Sequence, residues 1–142
     1  MTIKSYKMGP GSLQLGAGGT LLAVAPQVRA FTVKAAERLT RTDPVPVLSG
    51  EELAAEEDVD YDWTVTGTFI QDIEANGVLD WSWTNKGTPQ AFTFIPNTAK
   101  ARKVTGTLVP IPLDVGGDVD LTKRPEVSFT WRLTADPVMG AV

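Results

Sequence analysis

Among its 142 residues this chain has no histidine and no cysteine. Ser-His-Asp and Cys-His nucleophiles, His-based zinc sites and thiolate ligands are therefore absent from the start. Carboxylates remain, and a glycosidase needs only two of them across a cleft, but spacing along the chain cannot place such a pair. A serine–lysine dyad has no motif to support it. Asp58-x-Asp60-x-Asp62 opens like a calcium loop, yet Trp63 and Phe69 stand at the sixth and twelfth positions, where an EF-hand needs glycine and glutamate. LGAGGT at 15–20 has the glycines of a phosphate-binding loop without a following lysine or a helix behind it, so it reads as a glycine turn at Gly16–Gly19. Trp81 and Trp83 would make a sugar-stacking platform if both rings were exposed. As core anchors they would instead supply buried area to a small domain. The residue types thus argue for a protein that is not an enzyme, with no catalytic, metal or cofactor site.

The same composition bounds the architecture. A chain of 142 residues forms one domain, 1–142, large enough to bury roughly 70% of its unfolded surface in one core. No apolar run approaches the ~20 residues of a membrane span, and MTIKSYKMGPGS lacks the apolar stretch of a secretory signal. The absence of cysteine suits a reducing cytosol. The net charge of −4 argues against a surface that holds nucleic acid through many phosphate contacts.

Elements follow from periodicity. Ser12–Leu15 and Gln27–Ala36 read as strands, the second with Phe31, Val33 and Ala35 on one face. Trp63, Val65, Gly67 and Phe69 alternate with Thr64, Thr66 and Thr68, a period of two with β-branched partners. Phe92 and Phe94 alternate over Gln90–Pro96. Val104, Gly106 and Leu108 do so over Lys103–Pro112, with Pro110 and Pro112 marking an edge or exit. Val127, Phe129, Trp131 and Leu133 form the inward face of a final strand, and Gly116-Gly117-Asp118 makes a turn. Short alternating runs between turn signals, with at most one helix, describe a β-sandwich or barrel.

Two stretches are less direct. Between Glu74 and Lys86, Asn76-Gly77 is a hairpin signal, with Leu79, Trp81 and Trp83 alternating against Asp80, Ser82 and Thr84. The same residues fit a short helix equally well. Val78/Trp81 and Leu79/Trp83 then share a face, Asn76 is the N-cap, Asn85-Lys86 closes the last turn and Gly87 stops it. The second stretch, about 40–62, is broken by Pro44 and Pro46 and carries Glu51, Glu52, Glu56, Glu57, Asp58, Asp60 and Asp62. Like charges at that density disfavour a packed element, so it reads as a mobile, solvated loop or edge segment, compatible with an interaction loop that orders against a basic partner.

Three blocks taken together resemble the major tail protein (tail tube protein) of long-tailed, non-contractile bacteriophages. They are YDWTVTGTFIQD at 61–72 after LSGEEL at 48–53, NGVLDWSWTNKGTPQAFTFIPN at 76–97, and VTGTLVPIPLDVGGDVDLTKRPEVSFTWRLTADPVM at 104–139. Order and spacing match over about 45–140, and the first 40 residues follow in outline. The conjunction carries the resemblance, not any one motif. No immunoglobulin-like segment follows residue 142, so the expectation is a tube core without surface decoration.

The resemblance implies a mainly-β, sandwich-to-barrel tail-tube fold with one short flanking helix at about 76–86 and a long acidic loop. It implies a structural virion protein, assembled in the host cytoplasm, whose hexameric rings stack into a tail tube that conducts DNA without specific binding. Partners by resemblance are further copies of itself, the tape-measure protein, the tail terminator and the tail-tip proteins, and no membrane. The inter-ring contact loop would be Glu51, Glu52, Glu56, Glu57, Asp58 and Asp60, complemented on a neighbour by Lys100, Arg102 and Lys103 or by Arg38 and Arg41. Trp63, Phe69, Trp81, Trp83, Phe92, Phe94, Phe129 and Trp131 are the core anchors. Competing readings are a carbohydrate- or receptor-binding β-sandwich built on Trp81 and Trp83, and a capsid decoration or head–tail joining protein.

Overall fold

A computed structural model of the chain describes residues 5–16, 22–73 and 77–142. Ten strands and one α-helix follow in order: β1 (Ser12–Leu15), β2 (Leu22–Ala23), β3 (Val28–Arg41), β4 (Val45–Pro46), β5 (Glu52–Leu53), β6 (Glu57–Ile70), α1 (Val78–Thr84), β7 (Gln90–Ile95), β8 (Arg102–Val109), β9 (Glu126–Leu133) and β10 (Val138–Ala141). The protein is mainly β, as its alternating runs predict. All pairs are antiparallel, and the main sheet runs β2-β1-β7-β8-β9-β6-β3 with β10 on β8.

The seam of this sheet is β8. Only Leu108 and Val109 pair with β9, at Leu133 and Arg132, while Arg102–Thr105 pair with β10 on the same side. The sheet therefore divides into two halves, β2-β1-β7-β8-β10 and β9-β6-β3, which fold over each other. Aromatic side chains from the two halves meet between them. Phe31 of β3 lies 4.6 Å from Phe94 and 6.2 Å from Phe92 of β7 across the two halves, while within the β9-β6-β3 half Phe69 stacks on Phe129 at 4.5 Å and Trp131 tilts against Phe129 at 4.6 Å. Such offset and tilted pairs add to the area that the rings bury. Gly67 stands opposite both Phe31 and Phe129, and its lack of a Cβ lets the backbone of Ala30 lie against the middle of β6. The register of β3 shifts between Val28 and Ala30, so a bulge bends the strand at this point.

Local signals left 76–86 undecided, and α1 settles it as helix. Val78, Leu79 and Trp81 are buried, with Trp81 6.0 Å from Trp131. Gly77 is the N-cap; Asn76 lies outside the described residues. Asn85 closes the helix, and Gly87, at φ 73°, turns the chain so that its N–H donates to the Pro110 carbonyl. The segment after β8 straps the helix down. Ser82 Oγ, fully buried, donates to the Leu79 carbonyl and accepts from Leu113 N–H, and Trp83 Nε1 donates to the Leu113 carbonyl at 2.8 Å. A buried Ser in a helix is normally a loss; here it satisfies a backbone donor that would otherwise be stranded.

Of the eight expected anchors, Phe69, Trp81, Phe92, Phe94, Phe129 and Trp131 are buried, and Trp63 is half-buried. Trp83 is corrected: half its surface is exposed, 50%. It lies two residues beyond Trp81, about 200° around the helix, so the two rings cannot share one buried face. The glycine turn expected at Gly16–Gly19 lies mostly outside the described residues, with Gly16 at φ 92°. Strand β10 follows the strand that the sequence marks as final, Val127–Leu133, and was not anticipated.

Candidate assembly surface

The expected acidic loop is not a loop over its whole length. Strands β3 and β6 pair from Val28/Phe69 out to Arg41/Glu57, so Glu57, Asp58, Asp60 and Asp62 lie in a strand. Only the inner part of this hairpin covers core: Phe31, Val65 and Phe69 are buried, whereas Lys34–Arg41 and Glu57–Asp62 are exposed almost throughout. Strand β9 accompanies β6 only from Ile70 to Thr64. Beyond it the hairpin continues as a two-stranded arm, finished by the small β4–β5 hairpin through Val45/Leu53 and Pro46/Glu52.

Cross-strand pairing explains why the acidic run forms a strand. Arg38 stands opposite Asp60 and Arg41 opposite Glu57. Arg38 Nη2 reaches Asp60 Oδ2 at 2.7 Å, its Nη1 reaches Asp62 at 3.5 Å, and Arg41 Nε reaches Glu57 Oε1 at 2.8 Å. The Asp60 carboxyl is held below its usual range by the Tyr61 backbone N–H and then by the Arg38 guanidinium, and Arg38 is held above its own by the same pairing. These pairs are exposed and individually weak, but they offset part of the like-charge repulsion that the sequence read along one strand implies.

Arg38 and Arg41 engage acids of their own arm, in pairs that stay more than half exposed on both partners. Lys100 ends a short 3-10 turn, and Arg102 and Lys103 open β8 opposite Ala141 and Gly140. Glu51, Glu52, Glu56 and Asp58 have no ion-pair partner among the described residues.

Strand alternation gives the arm two different faces. The outward continuation of the core face carries Ala35/Trp63, Glu37/Tyr61 and Leu39/Val59, with Leu39, Val59 and Tyr61 between 42% and 49% exposed. The opposite face carries Ala36/Asp62, Arg38/Asp60 and Thr40/Asp58. Both long edges are open as well: among the described residues β3 has no strand beyond it, and β6 has none on its β9 side past Thr64. Nothing sequence-local announced this amphipathic ribbon, because its pattern appears only once the two strands are in register. The sugar platform finds no geometry, since Trp81 is buried and the Trp83 ring is tied through its N–H to the Leu113 carbonyl. Among the described residues no three carboxylates gather as metal ligands, and no helix is long and apolar enough to cross a membrane.

No protein-family model and no curated protein matches the sequence. The fold does have a solved counterpart. A chain of the virion of a native gene transfer agent (GTA) particle superimposes with a TM-score of 0.58 at 13% identity, covering 91% of this chain and 95% of that one. At that identity the likeness is one of fold, and it extends over nearly the whole of both chains.

Proposed function

We propose that this protein is a non-catalytic structural virion subunit: a tail-tube protein whose copies close into hexameric rings and stack into the conduit for DNA. The observation that carries the proposal is the arm. A two-stranded ribbon with both faces and both edges in water is marginally stable at best, and open edges recruit other strands. Such an element is economical only where another subunit covers it. The likeness in fold to a chain of a gene transfer agent virion supports the same reading.

Ring closure would use the open outer edge of β3 and the arm's edge of β6, two different surfaces, as a heterologous cyclic contact requires. A subunit with net charge −4 suits a conduit, because each Lys or Arg that met a phosphate would add affinity and slow transit. Tape-measure, terminator and tail-tip proteins are the partners that this role entails, with assembly in the host cytoplasm and residence in the virion tail.

Replacing Glu56, Glu57 and Asp58 together with alanine tests the arm's part in this. The monomer is expected to keep its circular dichroism spectrum and melting behaviour, since the three sit outside the core, while the concentration needed for assembly changes about tenfold, or roughly 1.4 kcal/mol per contact. Tubes forming at an unaltered concentration would remove the arm from the assembly mechanism.

A further inference from the structure

The outward face of the β9-β6-β3 half is a field of hydroxyls. Register sets Thr32, Thr66 and Thr130 side by side in one row and Ala30, Thr68 and Ser128 in the next. In a third row Thr64 stands between Lys34 and Arg132. At about 4.8 Å between strands and about 6.8 Å between rows, the field spans roughly 10 by 14 Å. These residues are exposed or half-buried, and among the described residues none of the six hydroxyls bonds another protein group. No aromatic ring stands on this face. The exposed apolar side chains lie elsewhere: Leu39, Val59 and Tyr61 on the other face of the arm, Val138 and Met139 on β10, and Val119 and Leu121 after the strap.

Assembly covers apolar surface, whereas a field of free hydroxyls gains little from being covered and stays wet. A tube has two wet surfaces, its bore and its outside, and the layering of the two halves chooses between them. The joining edges named above, on β3 and β6, both belong to this half, so it is the half that runs on around the ring. The other half lies over its core face, and so does α1, whose Trp81 packs on Trp131. That bulkier layer fits the longer, outer circumference, which turns the hydroxyl face inward. Six three-stranded halves make a barrel of about 18 strands. At a tilt of about 40° and a spacing of about 4.8 Å its backbone radius is roughly 18 Å, which leaves a bore wide enough for one duplex and its water and too narrow for two.

Resting on the tube reading above, we propose that the hydroxyl face of β9-β6-β3 is the bore lining that duplex DNA meets. A phosphate passing a threonine exchanges a hydrogen bond to water for one to the hydroxyl, and the net gain is small. No counterion is released, because the field carries no fixed charge, so contact with it adds no salt-dependent affinity. Passage is eased by neutrality over the field, not by repulsion. Fixed charge on this face stands at its two ends. Arg29 pairs with Glu126 at one, and Lys34 and Arg132 stand at the other with Asp62, Asp60 and Asp58 beyond them on β6.

Because the chain has no cysteine, a single introduced thiol reports its own surroundings. Thr66→Cys and, separately, Thr130→Cys place one in the field, and Thr93→Cys, on the outward face of β7, is the exterior control. In tubes of either field variant a small maleimide is expected to react within about threefold of its rate on the unassembled chain, and a maleimide carried on a protein too large for the bore at least about tenfold more slowly. Thr93→Cys tubes react with both. Thr66→Lys with Thr130→Lys is expected to make tubes hold at least about tenfold more short duplex DNA in nuclease-resistant form than the wild type at low salt, and to release it as salt rises. Field thiols that meet the large reagent as fast as Thr93→Cys, or that meet neither reagent, would put the field outside or inside a subunit contact and overturn the lining. So would failure of both cysteine variants, folded by circular dichroism, to assemble where the wild type does, or lysine tubes that hold no more DNA than the wild type. A wild-type chain that forms no tubes, seeded or not, would instead overturn the tube reading itself.

Discussion

Gly67→Ala will destabilise the fold by about 3 kcal/mol or more, although it adds one methyl group. A Cβ at this position would overlap the carbonyl oxygen of Ala30 and come within 2.8 Å of its carbon and 3.0 Å of Phe31 Cα. These are backbone atoms of a paired strand, so they cannot rotate away. Relief requires β3 to move off β6, which breaks the register at Phe31/Gly67 and draws Phe31 from its contacts with Phe94 and Phe129. Overpacking typically costs about 1–3 kcal/mol when side chains can adjust, and a backbone clash at the centre of a sheet belongs at the upper end or beyond. In urea the midpoint should fall by roughly 1.5 M for an m-value near 2 kcal/mol/M. Gly140→Ala is the internal control. Nothing lies within 4 Å of its Cβ position, and the midpoint should barely shift.

Trp131→Ala will have the largest effect of any core truncation, about 4 kcal/mol. The ring is 1% exposed and touches Phe69, Trp81 and Phe129, so it ties the β6–β9 face of the core to the helix. Its Nε1 also donates to the Ile111 carbonyl at 3.1 Å, fixing the strap that holds α1. At about 3–4 °C per kcal/mol for a domain of this size, the melting temperature should drop by roughly 12–16 °C. Trp131→Phe keeps much of the apolar contact and loses the strap bond, so it should cost less than half as much. An alanine variant melting within about 3 °C of wild type would show that the core is not organised around this ring.

The parts of this architecture legible in sequence are those where burial alternates. Val65/Phe69, Phe92/Phe94 and Val127/Phe129/Trp131 announce their strands because one face of each meets the core and the other does not. The helix was ambiguous because Val78–Thr84 satisfies both periods. What decides it is the strap, whose Leu113 takes Ser82 Oγ and Trp83 Nε1 from 31 and 30 positions away. The arm was misjudged for a similar reason. Repulsion was counted within the acidic run, whereas the cations that relieve it lie on the opposite strand, 22 positions away for Arg38/Asp60 and 16 for Arg41/Glu57. Trp83, expected among the core anchors for the area that a large ring can bury, instead has half its surface in water while its ring N–H bonds the strap.

The central claim is that this chain assembles with itself through its arm into a tube. Negative-stain electron microscopy of the purified full chain across a concentration series, with and without short tube seeds, tests it most directly. The account predicts stacked rings or hollow tubes of uniform width, lengthening with concentration and shortening in high salt. Particles that remain single subunits at every concentration, seeded or not, would contradict it.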